Sequence, residues 1–270
     1  MLSLRNVAKT FFPNTPNEVR ALRGVDLDLA DGCFAAIIGT NGSGKSTLLN
    51  AIAGVFEPDQ GSIRLDDTDL TRWPEYRRAA RIGRVFQNPF AGTAAEMSIA
   101  ENIALAMRRG GRRGLGRALN RHARTEMMER IRALNMGLED RLDNPIGTLS
   151  GGQRQALTLL MAVWRRPRLL LLDEHTAALD PKSAAQVAEL TRSIILREKL
   201  TALMVTHSMQ QAVQLPEHII MMHQGRIVRH YSKEEKARIR VPDLLAAFDQ
   251  VRRREQLDAE VAEGLARHYA

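Results

Sequence analysis

Apolar and polar positions alternate along the first quarter of the chain. LSLRNV (2–7) and VDLDLA (25–30) carry the period of strands with one face buried, and GSIRLD (61–66) reads the same way. Three other runs are apolar throughout: CFAAII (33–38), LLLL (169–172) and TALMV (201–205). Such runs suit strands buried on both faces of a parallel sheet. Helical patterns lie between them, as in an α/β core. Between about 96 and 166 apolar residues recur at helical spacing, which predicts a helical insertion between two core strands. Beyond LLLL the pattern predicts a helix over about 182–198, a strand over 201–206 and a helix over about 208–214. HIIMMHQGRIVRHY (218–231) reads as a hairpin turning at Gln224–Gly225. The tail from 231 is predicted helical. Ser232 and Glu235 have capping-box spacing, and Leu244, Phe248, Val251, Val261 and Leu265 sketch an apolar stripe. That stripe fits a helix packed on its own domain or a contact with a partner.

Composition narrows the class. The chain has 270 residues, 44% hydrophobic and 26% charged, which suits one large soluble domain or a domain with subdomains. No apolar run approaches the roughly eighteen residues of a membrane span, and the start, MLSLRNVAKTFF, has no secretory core. Cys33 is the one cysteine. It cannot form an internal disulfide and reads as a buried thiol, in keeping with a reducing cytoplasm. The net charge of +8 suits nucleotide, nucleic acid or anionic lipid equally. Aromatics at 4% are too few for many base-stacking platforms, and no nucleic-acid partner is expected.

The strongest chemical signal is GTNGSGKST. Gly39, Gly44, Lys45 and Ser46 match the P-loop pattern, placed as it requires between a strand run and a helix run. Glycines let successive backbone N–H groups converge on phosphate oxygens. Lys45 brings a point charge to the β- and γ-phosphates, the Ser46 hydroxyl can ligate Mg²⁺, and the helix opening at Thr47 favours the anion. A dinucleotide-binding turn fits less well, because its glycine spacing differs and it has no use for the lysine. LLLLDE supplies a second half. A buried strand delivers Asp173 to the C-terminal sheet edge, where its carboxylate can hold the Mg²⁺ shell, and Glu174 stands one residue further, free to polarise water. An NTPase that binds Mg²⁺ and a nucleotide follows, and hydrolysis there is mostly positioning and charge stabilisation.

LSGGQ (149–153) adds an unexpected element. Ser150 and Gln153 have capping-box spacing at the head of the apolar helix ALTLLMAVW, and Gly151 and Gly152 leave its first amides bare. Two anion-binding helix ends and one triphosphate imply that the second end serves a neighbour.

Taken together, these motifs resemble the ATP-binding-cassette (ABC) ATPases: the P-loop, Gln87 in VFQNP, LSGGQ, LLLLDE, ALD (178–180) and His207 in MVTHS, in the family's order over nearly all of residues 1–230. The resemblance implies an α/β fold: a P-loop NTPase (RecA-like) core with an antiparallel β subdomain and an inserted helical subdomain at about 96–166. The nucleotide-binding domain would span 1–230 and a C-terminal helical extension 231–270. It further implies that ATP is held by Gly39, Thr40, Asn41, Gly42, Ser43, Gly44, Lys45, Ser46 and Thr47. Phe11, or less readily Phe12, would stack on adenine, unless either is simply a core aromatic. Mg²⁺ would be held by Ser46, Asp173 and Gln87, Gln87 also linking the site to the transport partner. Glu174 would be the general base or position the water, and His207 would contact the γ-phosphate. In the family two cassettes meet head to tail, with ATP between one P-loop and the other chain's Ser150, Gly151, Gly152 and Gln153. Asp180 lies in the loop that crosses that interface. A homodimer, or a pair with a homologous chain, is expected.

The segment 88–149 is too short for the long arms of chromosome and DNA-repair relatives. Single-cassette chains without a span resemble transporter motors, peripheral on the cytoplasmic face of the inner membrane and bound to integral permease subunits. EYRRAARIGRVFQNP, LSGGQRQALTLLMA and DEHTAALDP resemble a branch paired with periplasmic binding proteins for amino-acid uptake of the tryptophan type. Two alternatives stand: an exporter of the lipoprotein or macrolide type, suggested by NEVRALRGV, and a soluble non-transport cassette acting on ribosomes. Two departures are visible. The helix after LSGGQ lacks the family's Ala-Arg-Ala. His175 replaces the usual proline, either as a tolerated variation or as a titratable donor near the γ-phosphate that shapes the pH profile at about pH 6 to 7. The arginine-rich run 108–124 reads as a solvated loop or as a contact for anionic lipid or the permease.

Overall fold

The computed structural model of the chain describes residues 1–111, 119–251 and 253. Strands β1 (Leu2–Phe11) and β2 (Val19–Leu29) pair antiparallel through the alternation seen in the sequence. Leu2, Leu4, Val7, Val25, Leu27 and Leu29 all point inward. Next come β3 (Phe34–Gly39), helix α1 (Lys45–Ala53), strands β4 (Gln60–Leu65) and β5 (Thr68–Asp69), the short α2 (Glu75–Arg78) and β6 (Ile82–Val85). β4 joins the other edge of β1, which completes an antiparallel sheet of order β2-β1-β4-β5.

Helices α3 (Ile99–Met107), α4 (Arg121–Arg132) and α5 (Gly151–Val163) form the insertion, with a 3₁₀ turn at Ile146–Thr148. Their inner faces make a separate core from Ile99, Ile103, Met127, Ile131, Leu157 and Trp164. The stretch from Asn135 to Pro145 is irregular rather than helical, so helical spacing overstated this part of the insertion. Residues 112–118 of the arginine-rich run lie outside the described residues.

The chain then returns through β7 (Leu169–Asp173), α6 (Pro181–Glu198), β8 (Ala202–Val205), α7 (Met209–Gln214), β9 (His218–His223), β10 (Arg226–Tyr231) and α8 (Lys233–Lys236). The main sheet has the order β10-β9-β3-β8-β7-β6, parallel except for the β9–β10 hairpin. Its continuous apolar strands are explained by two cores. Ala35, Ile37, Leu169, Leu171, Leu203 and Val205 face α1 and the antiparallel sheet. Ala36, Ile38, Leu170, Leu172, Ala202 and Met204 face α5, α6 and α7 on the other side. The hairpin turns at Gln224 (φ 44°) and Gly225 (φ 77°), the left-handed pair of a tight two-residue turn.

The tail is interrupted. α8 has the Ser232–Glu235 capping box, but it stops after one turn, and a second helix runs over 241–251. Leu244, Ala247 and Phe248 are buried against the main core, with Val251 packed beside them. This part of the stripe therefore covers its own domain. Val261 and Leu265 lie outside the described residues. Cys33 is buried and its thiol is pushed up to about 11 by that burial, an inert packing group. Among the described residues no helix is long and apolar enough to cross a membrane.

Candidate functional site

Four parallel strands, β3, β6, β7 and β8, end at one edge of the main sheet, and each delivers a loop there. β3 runs into the glycine turn. Gly42 (φ 76°) and Gly44 (φ 97°) take the left-handed conformations that bend it. A Cβ on Gly39 would lie 2.4 Å from the Met222 carbonyl oxygen, so the turn can pass this close to β9 only without a side chain. Gly44 caps α1 with no side-chain acceptor, which leaves the first amides of the helix open to an anion. Ser43 is buried and its hydroxyl has no hydrogen-bond partner. Thr40, Asn41, Ser46 and Thr47 stand on the accessible side of the turn.

Lys45 folds back over this turn. Its ammonium donates to the carbonyls of Gly39 and Thr40, each at 2.9 Å, which uses two of its three donors. Burial pulls its pKa below the usual range, while Glu174 and Asp173 oppose that. The turn is braced from behind. Gly225 N–H donates to the Ser43 carbonyl at 3.0 Å, and the Gly225 carbonyl accepts from Arg23 N–H at 2.9 Å. The hairpin tip is thus part of the phosphate-loop scaffold.

β7 places Asp173 at the same edge. Burial raises its carboxyl pKa above the usual range, opposed by Arg84, Lys45 and His207. Arg84 of β6 reaches it at 3.6 Å, donates to Asn50 Oδ1 of α1 at 2.6 Å, and lies 4.5 Å from the centre of the Phe86 ring. Glu174 follows with a left-handed φ of 44°, its N–H fixed on the Val205 carbonyl at 2.9 Å. From the end of β8, His207 brings Nε2 to 2.5 Å from Glu174 Oε1. Sequence reasoning named both residues, and the structure brings them into contact.

Gln87 follows β6 and is exposed at the same edge. Two neighbours in α5 hold its loop on either side. Gln155 Nε2 donates to the Phe86 carbonyl at 3.0 Å, and the buried Arg154 guanidinium lies 3.8 Å from the centre of the Phe90 ring. Phe11 at the end of β1 packs edge-to-face on Phe56, with centroids 5.4 Å apart, whereas Phe12 is 67% exposed.

The signature tip lies at the head of α5. Ser150 and Gln153 close the capping box. Gln153 Nε2 also donates to the Met136 carbonyl at 3.2 Å, so both ends of its amide are engaged within the chain. The glycines admit the head of α6. A Cβ on Gly152 would lie 2.8 Å from Ser183 Cβ, and one on Gly151 3.2 Å from Leu179 Cδ2. Asp180 caps α6 by accepting from Ser183 N–H at 3.1 Å, and the Ser183 hydroxyl together with that N–H holds its carboxyl below the usual range.

Of the two readings given for His175, a tolerated variation or a titratable donor, the donor is overturned. His175 is not a donor at the phosphate edge. Its ring is buried, with Nε2 2.9 Å from Thr191 Oγ1 of α6. Thr191 donates its own hydroxyl proton to the Val187 carbonyl, so the imidazole is the donor in the His175–Thr191 bond. Burial drives its pKa down to about 4, and it stays neutral.

The sequence reading missed Arg84, Asn50, Arg154, Gln155 and Gln211, and it placed Gly225 in the hairpin turn without its contact to Ser43. A charge inside the apolar run IGRVF was a usable signal for Arg84. Asn50, Arg154, Gln155 and Gln211 carried none.

Comparison with known proteins agrees with this geometry. Residues 22–177 match the ABC transporter family. Over 250 residues the chain is 41% identical to the tyrosine transport ATP-binding protein of Clostridioides difficile (strain R20291), covering 92% of this chain and 99% of the relative. It is 38% identical over 213 residues to the lipoprotein-releasing system ATP-binding protein LolD 1 of Caulobacter vibrioides, covering 77% and 86%. Among solved structures, the dimeric post-hydrolysis state of the ATP-binding cassette MJ0796 bound to ADP and Pi matches with a TM-score of 0.73 at 28% identity, over 86% of this chain and 99% of that one. A nucleotide-free ATP-binding cassette matches with a TM-score of 0.72 at 26% identity, over 88% and 93%. The chain belongs to the ABC transporter family, in which it is an ATPase cassette.

Proposed function

We propose that this chain is the motor of an importer for a small solute of the amino-acid class. It would sit on the cytoplasmic face of the membrane, bound to permease subunits and served by an extracytoplasmic binding protein. The relative named for tyrosine transport, which matches over nearly the whole of both chains, supports this cargo class over the narrower tryptophan type.

The working unit we propose is a head-to-tail dimer of two copies. The observation that carries it is the presence of two open helix heads in one chain, at Gly44 of α1 and at Gly151–Gly152 of α5. Each ATP would lie between one copy's Lys45 turn and the other copy's Ser150, Gly151 and Gly152, with Asp180 at the seam. Gln153 would orient the tip through its capping bond rather than touch the ligand. Phe11 would stack on adenine; the exposure of Phe12 keeps it as the alternative.

The turn fits a triphosphate. It offers bare amides, an ammonium with a donor left over and the buried, unpartnered Ser43 hydroxyl. It also fits Mg²⁺, because Ser46, Asp173 and Gln87 supply a hydroxyl, a carboxylate and an amide oxygen, hard donors suited to an ion that keeps phosphate and water ligands. Mg²⁺ would neutralise charge developing on the phosphates. Glu174 would orient and polarise the attacking water, and His207 would hold Glu174 and reach the γ-phosphate.

The test is reconstitution in proteoliposomes with an integral permease that co-purifies with this chain and an extracytoplasmic amino-acid-binding protein. ATP-dependent accumulation of a labelled aromatic amino acid supports the reading. ATP hydrolysis without uptake of any amino acid refutes import. The likeness to a lipoprotein-releasing cassette favours an exporter as the second reading, which membrane lipoprotein release in the same vesicles would reveal.

A further inference from the structure

Glu174 and His207 touch, but the more exposed of the two, His207, is not fixed by packing alone. His207 has 45% of its side chain exposed against 11% for Glu174, and Glu174 sits in a left-handed backbone conformation that its surroundings must hold in place. Their separation must be set by the loops that carry them. One side chain joins those loops. Thr176 stands two residues after Glu174, and Thr206 stands just before His207; both are buried. Gln211, in the first turn of α7, lies between them. Its Nε2 is 2.9 Å from Thr176 Oγ1, and its Oε1 is 3.1 Å from Thr176 Oγ1 and 3.3 Å from Thr206 Oγ1. The anchor itself is held. Ser208 caps α7 by accepting from Gln211 N–H at 3.3 Å, and Ser208 N–H donates to Thr206 Oγ1 at 3.0 Å. Thr206 N–H donates to the Ile37 carbonyl of β3 at 3.2 Å, which ties the network to the strand that feeds the phosphate turn.

We propose that Gln211 is a positioning residue for hydrolysis, bridging Thr176 and Thr206 and so holding Glu174 and His207 at their working separation. This rests on the roles given above to Glu174 and His207. The backbone bond from Glu174 N–H to the Val205 carbonyl holds the strands together without Gln211. Losing the bridge therefore loosens the two side chains without opening the sheet. Misplacement of reacting groups by a fraction of an ångström falls on turnover rather than on binding. A glutamate at 211 retains the link, because its carboxylate oxygens accept from both threonine hydroxyls.

The test compares Gln211→Leu, Gln211→Glu, Thr176→Val and Glu174→Gln in the full chain, with steady-state phosphate release and thermal melting. Gln211→Leu and Thr176→Val are expected to lower kcat about tenfold with KM for ATP within about twofold, while Gln211→Glu keeps most of the turnover. The double variant Gln211→Leu/Thr176→Val should lose no more than either single one. If Gln211→Leu does not fold, Thr176→Val decides alone, since it deletes one hydroxyl. The inference is overturned if kcat stays within about twofold of wild type, if Gln211→Glu falls as far as Gln211→Leu, or if KM rises in step. Glu174→Gln separates the two levels. Its loss of turnover beside an unaffected Gln211→Leu sinks only the bridge, whereas full turnover in Glu174→Gln sinks the role of Glu174 itself.

Discussion

His207 Nε2 lies 2.5 Å from Glu174 Oε1, a contact made across the ends of two adjacent parallel strands. The carboxylate thereby has an orienting donor while 11% of its side chain stays accessible. His207→Ala is expected to lower kcat at least about a hundredfold with little change in KM, measured by phosphate release, because general-base positioning acts mainly in the transition state.

Arg84 links three elements of the site: Asp173 on β7, Asn50 on α1 and Phe86 before Gln87. Arg84→Met leaves a buried carboxylate without its nearest strand-borne cation and the Asn50 oxygen without its donor. A destabilisation of about 2–3 kcal/mol is expected from chemical denaturation, below the cost of breaking a tight buried pair because the ions stand 3.6 Å apart. Arg84→Lys should restore only part, since a lysine cannot span both acceptors with a planar fork.

His175 predicts a pH dependence of stability rather than of catalysis. Burial holds the folded imidazole at about 4, below the roughly 6.5 of an unfolded chain. The unfolded chain therefore takes up a proton that the folded chain refuses. The stabilisation is complete above about pH 6.5 and is lost as pH falls through about 4, on the order of 3 kcal/mol over the window. Metal-free His175→Met should lose less of its denaturation midpoint than wild type between about pH 7 and 4.5. Its hydrolysis profile between about pH 6 and 7 should match wild type, because the ring stays neutral there.

Gly225 supports the phosphate turn from a distance in sequence. Its φ of 77° disfavours a side chain, and a Cβ there would lie 2.8 Å from the Ala21 carbonyl oxygen. Gly225→Ala should cost about 1–3 kcal/mol of stability. Its kinetic effect should appear chiefly as a raised KM for ATP, because the bond that fails holds Ser43 in the phosphate turn.

The strands were legible wherever a core dictated them. Alternation marked β1, β2 and β4, and unbroken apolar runs marked β3, β7 and β8, because burial on one face or two writes those patterns directly. The chemistry at the sheet edge was legible because phosphate binding demands particular residues at fixed spacing, as in Gly39 to Ser46. Bracing contacts were not. Gln211, Gln155 and Gly225 act through partners distant in the chain, and a side-chain amide or a turn glycine does not name its partner. The donor reading of His175 failed for the same reason: its place beside Glu174 suggested the phosphate, while the turn after β7, with Glu174 left-handed, sends the ring to Thr191 of α6.

The central claim is that this chain closes on ATP only as a pair. The direct measurement is the solution mass of Glu174→Gln by light scattering with saturating ATP. The account predicts a dimer of the 30.2 kDa chain with ATP, a monomer without it, and no dimer when Ser150→Phe blocks the signature tip. A Glu174→Gln protein that binds ATP and remains monomeric would contradict it.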